Sequence, residues 1–97
     1  MSSTSPRIER GAALLDTAAP GWEGKIDLNT LDLSSGWYCV VGQVYGDYID
    51  GLAELNGEAE EQPWKYGFES MAAESYDSLT DKWRRFITRR LRRAEAA

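Results

Sequence analysis

Three stretches of the chain repeat their apolar residues at helical spacing. In the first, over residues 7–18, Ile8, Ala12, Leu15 and Ala19 follow at steps of 4, 3 and 4 and share one helix face. In the second, over 35–56, Trp37, Val41, Val44, Tyr48, Leu52 and Leu55 step by 4, 3, 4, 4 and 3. That pattern predicts one continuous helix of about 30 Å at ~1.5 Å per residue. A buried strand through Trp37–Val41 competes on β-propensity, but the longer 3–4 spacing favours helix. The third stretch, 75–94, places Tyr76, Leu79, Trp83, Phe86 and Ile87 on one face. Its Ser78-Leu79-Thr80-Asp81 run resembles a capping box with Asp in place of Glu.

The intervening segments carry stop signals and aromatic residues. Pro20-Gly21 ends the first helix, and Trp22 is expected to fold back onto the core. Residues 26–33 fit neither period and read as a tight connector with its leucines inward. Residues 57–64 read as an acidic loop. Trp64, Tyr66 and Phe68 around Gly67 read as an aromatic plug. Residues 1–6 are polar and are expected to be disordered, leaving 7–97 as a single helical domain. The fold implied is a small all-α domain of three main helices, 7–18, 35–56 and 75–94, with the middle one central. Its small residues Cys39, Gly42, Gly46 and Ala53 cluster apart from the apolar stripe, so Gly42 and Gly46 are expected to admit a close neighbour. A homodimer seam is the alternative use of that face.

Composition narrows the class. A chain of 97 residues supports one modest core, burying roughly 60–70% of its unfolded surface. One cysteine excludes an intrachain disulfide. The N-terminus has no apolar signal core, and no run approaches the ~18 apolar residues of a membrane span. A soluble cytoplasmic protein without a membrane partner is expected.

The candidate chemistry is sparse. The chain has no histidine and so lacks the usual general base near neutral pH. Cys39, in a valine-rich context, reads as a buried packing residue rather than a reactive thiol. Asp47 and Asp50, one helical turn apart, read as a solvated face rather than an acid pair or metal site. Zinc-ligand spacing and a glycine-rich phosphate loop are both missing. An enzyme is not expected, and no catalytic, cofactor-binding or metal-binding residue is nominated.

Charge is the feature that points to binding. Residues 82–97 hold seven basic residues and one acidic, whereas residues 1–81 hold four basic and fifteen acidic. Lys82, Arg85, Arg89, Arg92 and Arg93 fall together on the arc opposite the apolar stripe and are the candidate partner-binding residues. Three uses stand. The cations can offset the acidic body and the helix dipole, meet an acidic protein surface, or meet nucleic-acid phosphates against the repulsion of that body. Arg90 lands on the apolar stripe, so the core-facing part is expected to end near Ile87.

A string of motifs also carries a resemblance. Gly11-Ala-Ala-Leu14-Leu15-Asp16, Pro20-Gly21-Trp22, Ile26-Asp27-Leu28, Leu31-Asp32-Leu33, Cys39-Val-Val-Gly42-Gln43-Val-Tyr45-Gly46, Gly51-Leu52, Tyr66-Gly67-Phe68 and Trp83 run in that order. Over roughly residues 11–83 the chain resembles a family of small uncharacterised proteins from actinobacteria and their phages. That family has leucine at the positions of Val41 and Val44, and its pattern does not include the basic tail after Ile87. The resemblance implies origin and transfers no activity or site residue. The function expected is a non-enzymatic phage or actinobacterial accessory protein that binds another protein. The alternatives are a small nucleic-acid-associated regulator using the basic C-terminal helix, and a minor virion component.

Overall fold

The structure, a computed structural model, describes residues 5–96. These form five α-helices and two 3₁₀ turns, with no strand among the described residues. The all-α fold read from the sequence therefore holds. Helix α1 spans Pro6–Ala18. Ser5 caps it, its hydroxyl accepting from the Arg7 N–H at 3.2 Å. Proline at the first helical position loses no bond, because that N–H is unpaired in any helix. The helix thus takes in Pro6, with Ser5 as its cap, one residue earlier than the 7–18 read from the sequence. Residues 1–4 of the polar 1–6 stretch lie outside the described residues. Past α1, Gly21 takes a left-handed φ of 81° and starts the 3₁₀ turn Trp22–Lys25. Trp22 is fully buried, as expected.

The segment expected to be one helix over 35–56 is two: α2, Val40–Tyr45, and α3, Tyr48–Leu55. Local capping overrides the spacing here. Gly46 adopts φ 95°, and its N–H closes α2 on the Gly42 carbonyl at 2.7 Å. Asp47 then caps α3, accepting from the Asp50 N–H at 3.0 Å. Ahead of α2, residues 35–38 are turns rather than helix. The Ser35 hydroxyl accepts from the N–H groups of Trp37 and Tyr38, each at 3.1 Å. Trp37 therefore leaves the apolar stripe and stands 65% exposed.

The two glycines of the small face do different jobs. A methyl group on Gly42 would run into the Gly36 carbonyl oxygen and lie 2.8 Å from that of Trp37. The close neighbour is the turn just before α2. Gly46 faces open space, so it is needed for its backbone angle and not for packing. The small residue between the two helices is Gly51, where a methyl would strike the Val41 side chain.

The acidic loop contains a short helix, α4, Gly57–Glu61, which buries Ala59. A 3₁₀ turn, Pro63–Tyr66, follows. Of the expected aromatic plug, Phe68 enters the core itself, whereas Trp64 stays 38% exposed. Helix α5, Tyr76–Ala96, begins one turn before the Ser78 capping box. Ser75 provides the cap: its hydroxyl accepts from the Ser78 N–H at 3.1 Å.

The aromatic cluster converges on Trp83 of α5 rather than on the 35–56 segment. Trp22 meets its ring edge-on at 6.1 Å, and Phe68 stacks on it at 6.1 Å. The Trp83 indole N–H donates to the Gly67 carbonyl at 2.6 Å, so no buried donor is wasted. Leu31 and Leu33 of the connector are buried, as expected. Thr80 of α5 fixes them by accepting the Leu33 N–H at 2.8 Å.

Candidate binding surfaces

The basic arc of α5 is less available than its sequence suggests. Lys82 donates to Glu74 at 2.7 Å. Arg85 pairs with Asp81 one turn back. Arg84, outside the expected arc, donates to the carbonyls of Leu28 and Leu31, both at 3.3 Å, and pins the connector to the helix. Arg89, Arg92 and Arg93 are exposed on the last turns. Of the five nominated cations, Lys82 and Arg85 are thus held by carboxylates of the acidic body, and Arg92 and Arg93 stand at the solvent-facing end.

Arg90 departs furthest from expectation. Sequence placed it on the apolar stripe beyond the end of the core. Instead it reaches back to α1, donating to both oxygens of Asp16 and to Glu23 at 2.8 Å, with its guanidinium 5.1 Å from the Phe86 ring centre. The hydrogen bonds from Arg90, aided by one from the Trp22 indole and opposed by partial burial, hold the Asp16 carboxyl below its usual range. The same contacts push the Arg90 guanidinium up. On the far side, Glu74 receives Lys82, Arg7 at 3.0 Å and the Met71 N–H at 3.3 Å. Burial pushes the Glu74 carboxyl up, and these bonds outweigh it, leaving its pKa lowered.

The second surface is apolar. Trp37, Tyr38 and Ile49 are 65%, 51% and 69% exposed. The Tyr48 N–H donates to the Gly36 carbonyl at 2.9 Å, which ties the turn before α2 to the start of α3. Trp37 and Ile49 each adjoin one end of that bond, on neighbouring segments. Next to them lies a cleft of about 110 Å³ lined by Gly36, Cys39, Tyr48, Phe68, Glu69 and Tyr76. The Tyr48 hydroxyl donates to Glu69 at 2.6 Å, and burial with that acceptor pushes its pKa up, so it stays protonated. Cys39 is buried and caps α2, its sulfur accepting from the Gly42 N–H at 3.2 Å. Burial pushes its thiol up, away from the reactive thiolate.

Sequence reading missed this surface because spacing put Trp37 inside. Ile49 was the available signal, since it falls off the apolar stripe. A wider polar depression of about 660 Å³ runs between the connector and α5, with Asp32, Asp77, Asp81 and Arg84 on its walls. Among the described residues, no cluster of three or more His, Cys, Asp or Glu side chains could hold a metal ion. No described helix is long and apolar enough to cross a membrane. Comparison with protein-family models, with curated proteins and with solved structures returned no match.

Proposed function

We propose that this chain is a non-enzymatic accessory protein of an actinobacterium or its phage, acting in the cytoplasm by binding another protein. The observation that carries this reading is the pair Trp37 and Ile49, large apolar side chains left in solvent on two segments locked together by a backbone hydrogen bond. Burying such a side chain is worth about 1.5–3 kcal/mol, and exposed tryptophan anchors dominate many interfaces. The turn that presents Trp37 is held by Ser35, so little ordering opposes binding. The origin rests on the motif string from Gly11 to Trp83.

The test is a comparative pull-down from an actinobacterial lysate. Parent chain, the Trp37→Ala/Ile49→Ala double variant and an Arg92→Ala/Arg93→Ala variant serve as baits. A partner retained by the parent and the arginine variant but lost by the apolar variant is the expected result. A partner indifferent to Trp37 and Ile49 would defeat the assignment of this surface. The exposed Arg89, Arg92 and Arg93 favour one second reading, nucleic-acid association through the end of α5. Binding of that kind must weaken steeply with salt.

A further inference from the structure

The surface around Trp37 and Ile49 also has a sign. Residues 26–64 contain eight acidic residues and no lysine or arginine. Trp37, Tyr38 and Ile49 all belong to that stretch. Asp47 and Asp50 flank Ile49 at the start of α3, and Glu69 lies in the adjoining cleft, where its backbone carbonyl accepts from the Arg7 guanidinium at 2.7 Å. The first cation along α5, Lys82, is taken by Glu74. The apolar side chains thus have the carboxylates of Asp47 and Asp50 as their charged border on the α3 side. A partner that covers them also strips water from the border, where unlike charges then attract and like charges repel more strongly.

Building on the protein-binding reading above, we propose that the surface formed by Trp37, Tyr38 and Ile49 recognises a cationic segment of a partner protein, one that combines arginine or lysine with bulky apolar side chains. The apolar side chains cover Trp37 and Ile49, and the cations meet Asp47 and Asp50. The anionic border turns away nucleic acid and anionic lipid at this face.

The test uses the full chain and two short synthetic peptides. Both carry leucine and phenylalanine; one adds arginine, the other glutamate at the same positions. Binding is followed by calorimetry. The arginine peptide should bind with a Kd of roughly 1–100 μM, and the glutamate peptide at least about tenfold more weakly. Trp37→Ala/Ile49→Ala should abolish binding. Asp47→Asn/Asp50→Asn should weaken it about tenfold and remove its salt dependence. Asparagine caps helices as well as aspartate does, so α3 survives that change, and circular dichroism checks it.

Equal affinity for both peptides would overturn the cationic specificity while leaving the apolar surface as a binding site. Arginine-peptide binding that ignores Trp37→Ala/Ile49→Ala would overturn both the specificity and the site. So would failure of the arginine peptide to bind at millimolar concentration. Sedimentation of the chain alone, showing a dimer that Trp37→Ala/Ile49→Ala dissociates, would make a second copy the occupant and overturn the proposal.

Discussion

Arg90 grips Asp16 with two parallel bonds across 74 positions of sequence, Nη1 to Oδ1 at 2.7 Å and Nη2 to Oδ2 at 2.9 Å. Asp16 also accepts from the Trp22 indole at 2.9 Å, so one carboxylate joins α1, the turn after it and the C-terminal half of α5. The planar fork of arginine matches a carboxylate in a way an ammonium cannot.

Arg90→Ala should therefore destabilise the fold by about 1–2 kcal/mol, the lower part of the range for charged hydrogen bonds because Asp16 is partly in water. Arg90→Lys should recover only part of that. Deletion of residues 88–97 removes Arg90 and should cost as much, although the apolar stripe is complete at Ile87. Deletion of 92–97 spares the clamp and should melt close to the parent. Thermal melts decide this, since 1 kcal/mol shifts Tm by about 4–8 °C in a domain of this size.

Gly42 and Gly46 should respond differently to substitution. Gly42→Ala forces a methyl against the backbone oxygens of Gly36 and Trp37, which cannot rotate away. It should cost about 1–3 kcal/mol despite the gain of up to ~1 kcal/mol in helix propensity. Gly46→Leu meets no neighbour and should cost about 1–2 kcal/mol, all of it from the left-handed backbone. Gly46→Asn should cost less, because asparagine tolerates that region. Urea titrations showing equal loss for Gly46→Leu and Gly46→Asn would argue against a backbone origin.

Cys39 should resist alkylation in the native protein. Its sulfur is buried and engaged with the Gly42 N–H, and its thiol pKa is raised. Labelling with a maleimide should become fast only in denaturant. Rapid native labelling would mean that the start of α2 opens readily.

Acid should destabilise the fold through Asp16 and Glu74. Both carboxyls have folded pKa values below their unfolded ones, about 3.9 for Asp and 4.3 for Glu. The unfolded chain thus binds more protons in this window, and stability rises with pH there. Their contribution is complete above the unfolded values and is lost as pH falls through the folded ones. With no histidine to titrate, stability should be nearly flat from about pH 5 to 8. Below about pH 4 it should fall, and Asp16→Asn or Glu74→Gln should flatten that acid limb in pH-dependent melts.

The position of α1 was legible because its periodicity and the Pro20-Gly21 stop agree, and that of α5 because its apolar face repeats at helical spacing; the Ser5 cap of α1 was not read. The stripe Val41, Val44 and Leu52 was legible too, and all three are buried. Its division into α2 and α3 was written in Gly46-Asp47, but a glycine and an aspartate at helical spacing look alike as faces and as caps. Which they become depends on whether a local turn closes, and the 3–4 pattern does not report that. Trp37 shows the same limit, since a hydroxyl two residues earlier turned it outward. The charge split was visible from the order of residues alone. Which arginine would anchor the helix was not, because a bond between positions 16 and 90 exists only once α1 and α5 have been set side by side. Packing of Trp22 and Phe68 on Trp83 sets that alignment, and side-chain geometry then selects Arg90 over its equally charged neighbours.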